Sequence, residues 1–355
     1  MDKAQECGIP AELYEVCEAW NTHSAYCAGV FLKNRSESDT LDKVYEMMGR
    51  AGLVADLIPV MADDSTFHSN MIYGSIYDAM TRHGHCYQIF AGYMPEGYWC
   101  LTSKTDDPDM SLNELLDTAS REGLRPVKYT DATQLAYDSI AGARYDLVDR
   151  IDDGHLMSLP DINRTVDFAV TYGLNDLSDP LFVQDMNDGL DGGQYLADTL
   201  APDSISMIFT PLYQQADLSY TFIGYPCSFG SVHSIRPYSI CSMSADTDKK
   251  ELCWEFMRYL VSEDLQREVT NSYGRFPVNR TVAEELLNDT SYSETTRGDL
   301  RRMMDSIDTV YMSEYSIWNI LSDEIGSYYT QSRPVDEIAR TVQSRLDVYV
   351  QENYG

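Results

Sequence analysis

The chain has 355 residues, a length that suits two domains or one two-lobed unit. Apolar residues make up 43% and charged residues 23%, which is a globular composition and excludes general disorder. The formal net charge of −31 repels phosphate backbones and anionic lipid headgroups, so nucleic-acid binding is excluded as a main role and neutral or cationic small partners are favoured.

In chain order, Ala11 to Trp20 reads as a helix with Leu13, Val16 and Cys17 on one face, and Trp20 reads as core. Ala25 to Leu32 is strand-like, and a polar break from Lys33 to Asp39 follows it. A helix from Leu41 to Arg50 ends near Gly52, and Leu53 to Val60 is a short apolar turn segment. Ser69 to Thr81 looks helical, and the aromatic alternation from His85 to Leu101 predicts strands. Asn113 to Glu122 is a helix whose N-cap is Ser111, with Glu114 three residues on as in a capping box. Thr133 to Ala143 and Asp161 to Tyr172 are further helices.

Ile205 to Phe209, Tyr220 to Gly224 and Ile235 to Met243 read as strands. Lys249 to Val261 is strongly amphipathic, with Leu252, Cys253, Phe256, Leu260 and Val261 on one face. Leu265 to Tyr273, Arg297 to Ser306, Ile317 to Tyr328 and Val335 to Glu352 complete a helical C-terminal part. Alternating strands and helices, closed by helices, predict α/β layers with a helical tail packed on one lobe.

The eight cysteines are scattered without a C-x-x-C pair, so neither a zinc site nor a redox motif is supported, and free buried thiols are the simplest account. His83, His85 and Cys86 lie close together, but their spacing is poor for one face of a strand. Asp185 to Gly189 lacks the glutamate a calcium loop needs at its twelfth place. No apolar run reaches membrane-spanning length, and the stretch after Met1 lacks the apolar core of a signal peptide. Walker, G-x-S-x-G and H-E-x-x-H motifs are absent. Neither a cofactor nor a metal is expected.

Several segments carry a family resemblance. They are Gly224-Tyr225-Pro226, the strand from Ser239 to Ser244, the helix from Lys249 to Leu260 with Trp254-Glu255-Phe256, and the turn Gly274-Arg275-Phe276-Pro277-Val278-Asn279. Gly52-Leu53-Val54-Ala55-Asp56-Leu57 and Gly84-His85-Cys86-Tyr87-Gln88-Ile89 add to them, as does Trp318 placed 16 residues before Pro334. In this order they resemble the family 1 extracellular solute-binding proteins, the sugar-binding components of bacterial ABC importers. The Trp318 spacing is similar to the maltodextrin-binding branch, where a tryptophan in this place stacks on sugar.

The resemblance implies a periplasmic-binding-protein-like type II α/β fold of two lobes, with hinge crossovers, a ligand cleft and a helical C-terminal tail. It puts 1–95 plus 236–288 in an N-terminal lobe and 96–235 plus 289–355 in a C-terminal lobe. The family's first strand and its G-x-x-P-D-I strand find no match, so the N-terminal lobe is expected to be incomplete. The implied role is non-catalytic delivery of a mono- or oligosaccharide to an ABC permease, by an extracytoplasmic monomer.

Candidate ligand residues follow. Trp318 is expected to stack on a pyranose, and Tyr93, Tyr98 and Trp99 lie along the first crossover strand. Tyr213 falls in a loop after a strand where relatives place an aromatic, and Arg236 is a cation in an apolar stretch beside the expected hinge. Sugars suit such residues because Tyr and Trp pair a flat apolar face with a polar edge, and the chain holds 26 Tyr and 4 Trp. Two alternatives stay open: a glycoside-active enzyme with an acidic cleft, and a truncated relative that binds nothing.

Overall fold

A computed structural model of the chain describes residues 24–27, 30–33, 49, 52–81, 84–128, 130–142, 158–175, 194–199, 205, 218–228, 230–310 and 315–354. The helix expected at 11–20, most of the one at 41–50, the strand at 206–209, and Tyr213 and His83 lie outside the described residues. The chain divides into two compact units. Unit 1 comprises 1–95, 202–207 and 235–313, and unit 2 comprises 96–201, 208–234 and 314–355.

In unit 1, β1 (Ser24–Cys27) and β2 (Val30–Lys33) form an antiparallel pair with Cys27 opposite Val30. The single strand expected over Ala25 to Leu32 is therefore two. Strand β2 pairs with β9 (Ser234–Met243), and β3 (Ile89–Glu96) and β10 (Thr309–Val310) also join β9. All eight residues of β3 are buried, as befits a strand covered on both faces.

The helices of unit 1 are α1 (Leu57–Asp63), α2 (Gly74–Met80), α6 (Lys250–Leu260), α7 (Glu263–Tyr273), α8 (Arg280–Leu287) and α9 (Glu294–Ser306). The helix expected over 69–81 begins as a short 3-10 turn, Ser69–Met71, before α2. Residues 289–313 group with unit 1, not with the second lobe as the sequence suggested. Side chains explain why. Tyr73 Oη donates to Asp305 Oδ1 at 2.6 Å, Ser75 Oγ donates to the Met304 carbonyl, and Arg301 pairs with Glu284 at 2.8 Å. These bonds tie α9 to α2 and α8.

The sequence segments of the family resemblance serve this unit's architecture. Asp56 caps α1 through the Ile58 amide and accepts from the Cys86 amide, which joins the Gly52–Leu57 and Gly84–Ile89 segments. Asn279 caps α8, accepting from the Thr281 amide at 2.9 Å, and donates to the Val261 carbonyl at 2.9 Å. Trp254 meets Phe67 edge to face at 5.2 Å, and its indole N–H donates to Asp64 at 2.8 Å.

The Asp64 carboxylate is held down to about 2 by the Thr66 hydroxyl, the Trp254 indole, the Thr66 amide and Arg258, against a burial that pushes it up. Its folded-state value lies below the ordinary 3.8, so this stabilisation is present above pH 4 and is lost as pH falls towards 2. Asp64→Asn is expected to be less stable than the wild type at pH 6, with the gap closing between pH 4 and pH 2. Urea unfolding across that range measures it, and a gap that stays constant with pH would contradict the assignment.

Unit 2 is built on a mixed five-stranded sheet in the order β5 (Arg125–Val127), β6 (Tyr195–Thr199), β4 (Tyr98–Leu101), β7 (Tyr220–Cys227), β8 (Gly230–Val232). Only β5 and β6 are parallel; the other neighbours are antiparallel. Around it lie α3 (Leu112–Glu122), α4 (Ala132–Gly142), α5 (Leu159–Tyr172), α10 (Tyr315–Gln331) and α11 (Val335–Tyr354). The capping box on α3 forms as expected, with the Glu114 amide on Ser111 Oγ and the Ser111 amide on Glu114. Helix α4 packs on α5 and α10, and α11 packs on α5 and α10, so the C-terminal helices complete the helical layer of this unit.

Cys86, Cys100, Cys227, Cys241 and Cys253 are buried, as the sequence suggested. Burial pushes the Cys86 thiol up to about 12, which leaves it unreactive at neutral pH.

Candidate functional site

The site grows from one face of α4 in unit 2. Asp131 stands just before the helix, and its carboxylate accepts from the Gln134 amide at 3.1 Å. Gln134, Tyr137 and Asp138 then fall at i, i+3 and i+4, on the same side of the helix. Tyr137 is 3% exposed and meets Trp318, in the first turn of α10, with ring centroids 5.5 Å apart at 65°. This edge-on contact holds the indole while Trp318 stays half-buried, so part of its surface is open.

Asp138 is 1% exposed, and Gln134 and Tyr98 are its partners among the described contacts. Gln134 Nε2 donates to Oδ1 at 2.5 Å, and the Tyr98 hydroxyl lies 3.5 Å from Oδ2. Tyr98 packs edge to face on Tyr225 at 5.7 Å. The Tyr225 hydroxyl donates to Glu96 Oε2 at 3.2 Å, and Ser234 Oγ donates to the Glu96 carbonyl. Burial, with the Asp138 carboxylate beside it, raises Tyr98 well above the usual phenol range, so this hydroxyl remains a donor. Glu96 and Ser234 are two of the residues of unit 2 that border segments of unit 1 along the chain. Within unit 2 a run of side-chain contacts thus leads from Asp138 through Tyr98 and Tyr225 to Glu96, beside the Tyr137–Trp318 pair.

Chemically this face offers a partly open indole and an amide held by a buried carboxylate. Both carboxylates, Glu96 at 4% and Asp138 at 1% exposure, already accept internal hydrogen bonds. Among the described residues no group of three or more His, Cys, Asp or Glu is arranged to hold a metal ion. His85 pairs with Asp56 at 2.7 Å, and His233 Nε2 lies 3.0 Å from the Pro108 carbonyl oxygen. No described helix is long and apolar enough to cross a membrane.

Of the described candidate residues from the sequence, Trp318, Tyr98 and Trp99 belong to unit 2, and Tyr93 and Arg236 to unit 1. Trp318 and Tyr98 belong to this network of unit 2. Trp99 is 0% exposed and packs on Phe222 at 4.9 Å, so its ring is core. Tyr93 is also 0% exposed and stacks on Phe276 at 5.6 Å within unit 1. In this structure neither Tyr93 nor Trp99 has an open ring face, and Tyr98, at 3% exposure, turns its hydroxyl towards Asp138. Arg236 is half-buried on β9, and its residue belongs to unit 1. Sequence reasoning missed Gln134, Tyr137 and Asp138. Their i, i+3, i+4 spacing was visible, but it is also the signature of ordinary helix packing.

The Tyr93 hydroxyl is buried and has no hydrogen-bond partner among the described residues. Tyr93→Phe removes a desolvated, unpaired group at nearly constant volume, so it is expected to be neutral or stabilising by up to about 1 kcal/mol in urea unfolding. A clear loss of stability would show that the hydroxyl has a partner in solution.

No protein-family model matches the sequence, and no curated protein matches it. Solved structures do. An ABC substrate-binding protein from Listeria monocytogenes in complex with cycloalternan aligns over 90% of this chain and 84% of its own, with a TM-score of 0.55 at 12% identity. The sugar-binding protein MalE from Xanthomonas citri aligns over 86% of this chain and 80% of its own, with a TM-score of 0.56 at 10% identity. A de novo designed esterase aligns over 92% of this chain and 85% of its own, with a TM-score of 0.57 at 14% identity. The chain therefore has the mixed α/β fold found in the ABC sugar-binding proteins.

Proposed function

We propose that this protein binds a carbohydrate without altering it and delivers it to the permease of an ABC importer. The fold is compatible with binding and with catalysis, so the weight rests on the site. The carrying observation is Trp318, half-buried and braced edge-on by Tyr137 at 5.5 Å. A fixed indole face matches the apolar C–H face of a pyranose, and hydroxyls around the ring match nearby polar groups. The buried, hydrogen-bonded state of Glu96 and Asp138 supports binding over glycoside cleavage, which needs a carboxyl pair that reaches the substrate. On this reading the protein works outside the cytoplasm as a monomer, and its macromolecular partner is the permease.

Calorimetry against a panel of mono- and oligosaccharides tests the reading. Heat is expected with at least one sugar. Trp318→Ala is expected to weaken that binding at least tenfold while the protein still folds cooperatively, as for a central aromatic contact. Silence across the panel while peptides or polyamines bind would overturn the sugar assignment. Turnover of chromogenic glycosides, abolished by changing one carboxylate, would replace binding with catalysis.

A further inference from the structure

We propose that Gln134 sets the hydrogen-bonding polarity of this site: its side-chain carbonyl, turned outward by Asp138, accepts a hydrogen bond from a hydroxyl of the sugar that stacks on Trp318. The inference rests on the sugar-binding reading above and narrows the class of solute.

A glutamine amide has a donor end and an acceptor end of nearly equal size, and a free one offers either. Here the choice is made by a neighbour. Gln134 Nε2 donates to Asp138 Oδ1 at 2.5 Å, so the end of the amide that faces Asp138 is the NH2 group. The carbonyl oxygen then points the other way, and among the described residues it has no hydrogen-bond partner, while Gln134 itself is half-buried. Asp138 is kept from turning by its burial and by the Tyr98 hydroxyl near its second oxygen.

The position suits the stacking ring. Gln134 sits one turn of α4 before Tyr137 and Asp138, a rise of about 5 Å. Tyr137 is the residue that braces Trp318. One side of the site is thus an indole face, and the next turn offers a lone acceptor. A solute with a hydroxyl at that place gains a hydrogen bond. One that places a carboxylate there sets two acceptors against each other and leaves the Gln134 oxygen desolvated and unpaired, which costs about 1–3 kcal/mol. The preferred class is neutral sugars with free hydroxyls, and uronates are disfavoured. The net charge of −31 acts in the same direction.

Asp138→Asn gives the inverse arrangement. An asparagine that takes the Tyr98 hydroxyl on its oxygen turns its own NH2 towards Gln134. The Gln134 amide then turns over and shows NH2 outward. The experiment is calorimetry of the whole chain with galactose, galacturonate, maltotriose, cellotriose and diacetylchitobiose, for wild type, Gln134→Leu, Asp138→Asn, the double variant and Trp318→Ala, each with its melting curve.

For the sugar the wild type binds best, Gln134→Leu and Asp138→Asn should each weaken binding about tenfold, the size of one ligand hydrogen bond. The double variant should lose no more than the weaker single, and Asp138→Asn should raise the affinity for galacturonate relative to galactose. A purely structural Asp138 would not produce that exchange. Unchanged binding in Gln134→Leu while Trp318→Ala abolishes it would overturn this proposal alone, as would additive losses. If Asp138→Asn does not fold, Gln134→Leu still decides. Equal binding by wild type and Trp318→Ala, or no sugar binding by the wild type, would sink the parent reading and this one together.

Discussion

Replacing Gln266 with leucine is expected to cost about 3–5 kcal/mol. Gln266 is 0% exposed and every end of its amide is used. Nε2 donates to the Ala91 carbonyl at 2.6 Å and to the Leu260 carbonyl at 2.7 Å. Oε1 accepts from the Val278 amide at 2.7 Å and the Asn279 amide at 3.3 Å. One side chain on α7 therefore fixes the middle of β3, the end of α6 and the turn into α8. Leucine fills a similar volume but leaves these buried backbone groups without a partner, and each orphan costs about 1–3 kcal/mol. Urea unfolding followed by circular dichroism measures the change. A loss below about 1 kcal/mol would mean that water or a shifted backbone replaces the amide.

Gly224→Ala should destabilise unit 2 by about 3 kcal/mol or more. Gly224 has φ of +58°, in the left-handed region, and stands opposite Tyr98 where the β4–β7 register shifts. A side chain there pays about 1–2 kcal/mol for its backbone conformation. A methyl group would also lie 2.3 Å from the Val232 carbonyl oxygen and 2.8 Å from its carbon. Those are backbone atoms of β8, so the strand itself must move, which adds about 1–3 kcal/mol. The site lies close by, because Tyr98 and Tyr225 are the tyrosines that link Asp138 to Glu96. Sugar binding should therefore fall along with stability. Wild-type stability with intact binding would show that β8 is free to shift and that the close approach is incidental.

Local signals in the sequence were readable where the chemistry is local. Ser111 and Glu114 announced α3, and the apolar stripe of Leu252, Cys253, Phe256 and Leu260 announced α6. Helix α8 was missed because its eight residues make about two turns, too few to display a period, although Asn279 marks its start. The β1–β2 pair was read as one strand because the apolar run continues through the reversal. Tyr93 and Trp99 were placed in the site because aromatic strands serve a core and a binding face equally well. A strand buried on both faces, such as β3, has no alternation that would separate the two. Trp318 was a candidate through its spacing to Pro334, as the family resemblance implies. Gln134 and Asp138 were not, because their role depends on Tyr98, which is 40 residues from Asp138 in the chain.

The interleaved membership of the two units has a consequence for biosynthesis. Strand β9 closes on β2 across some two hundred positions, with Val30 opposite Met243, and unit 1 recruits residues up to 313. A ribosome making this polypeptide must translate nearly all of it before either half holds its full complement of pieces. Vectorial, N-terminus-first maturation is closed to it, and β3, apolar on both faces, waits uncovered while translation proceeds. Nascent chains should accordingly lean on holding chaperones for most of their time on the ribosome, and severing either half as a contiguous fragment should yield an aggregate.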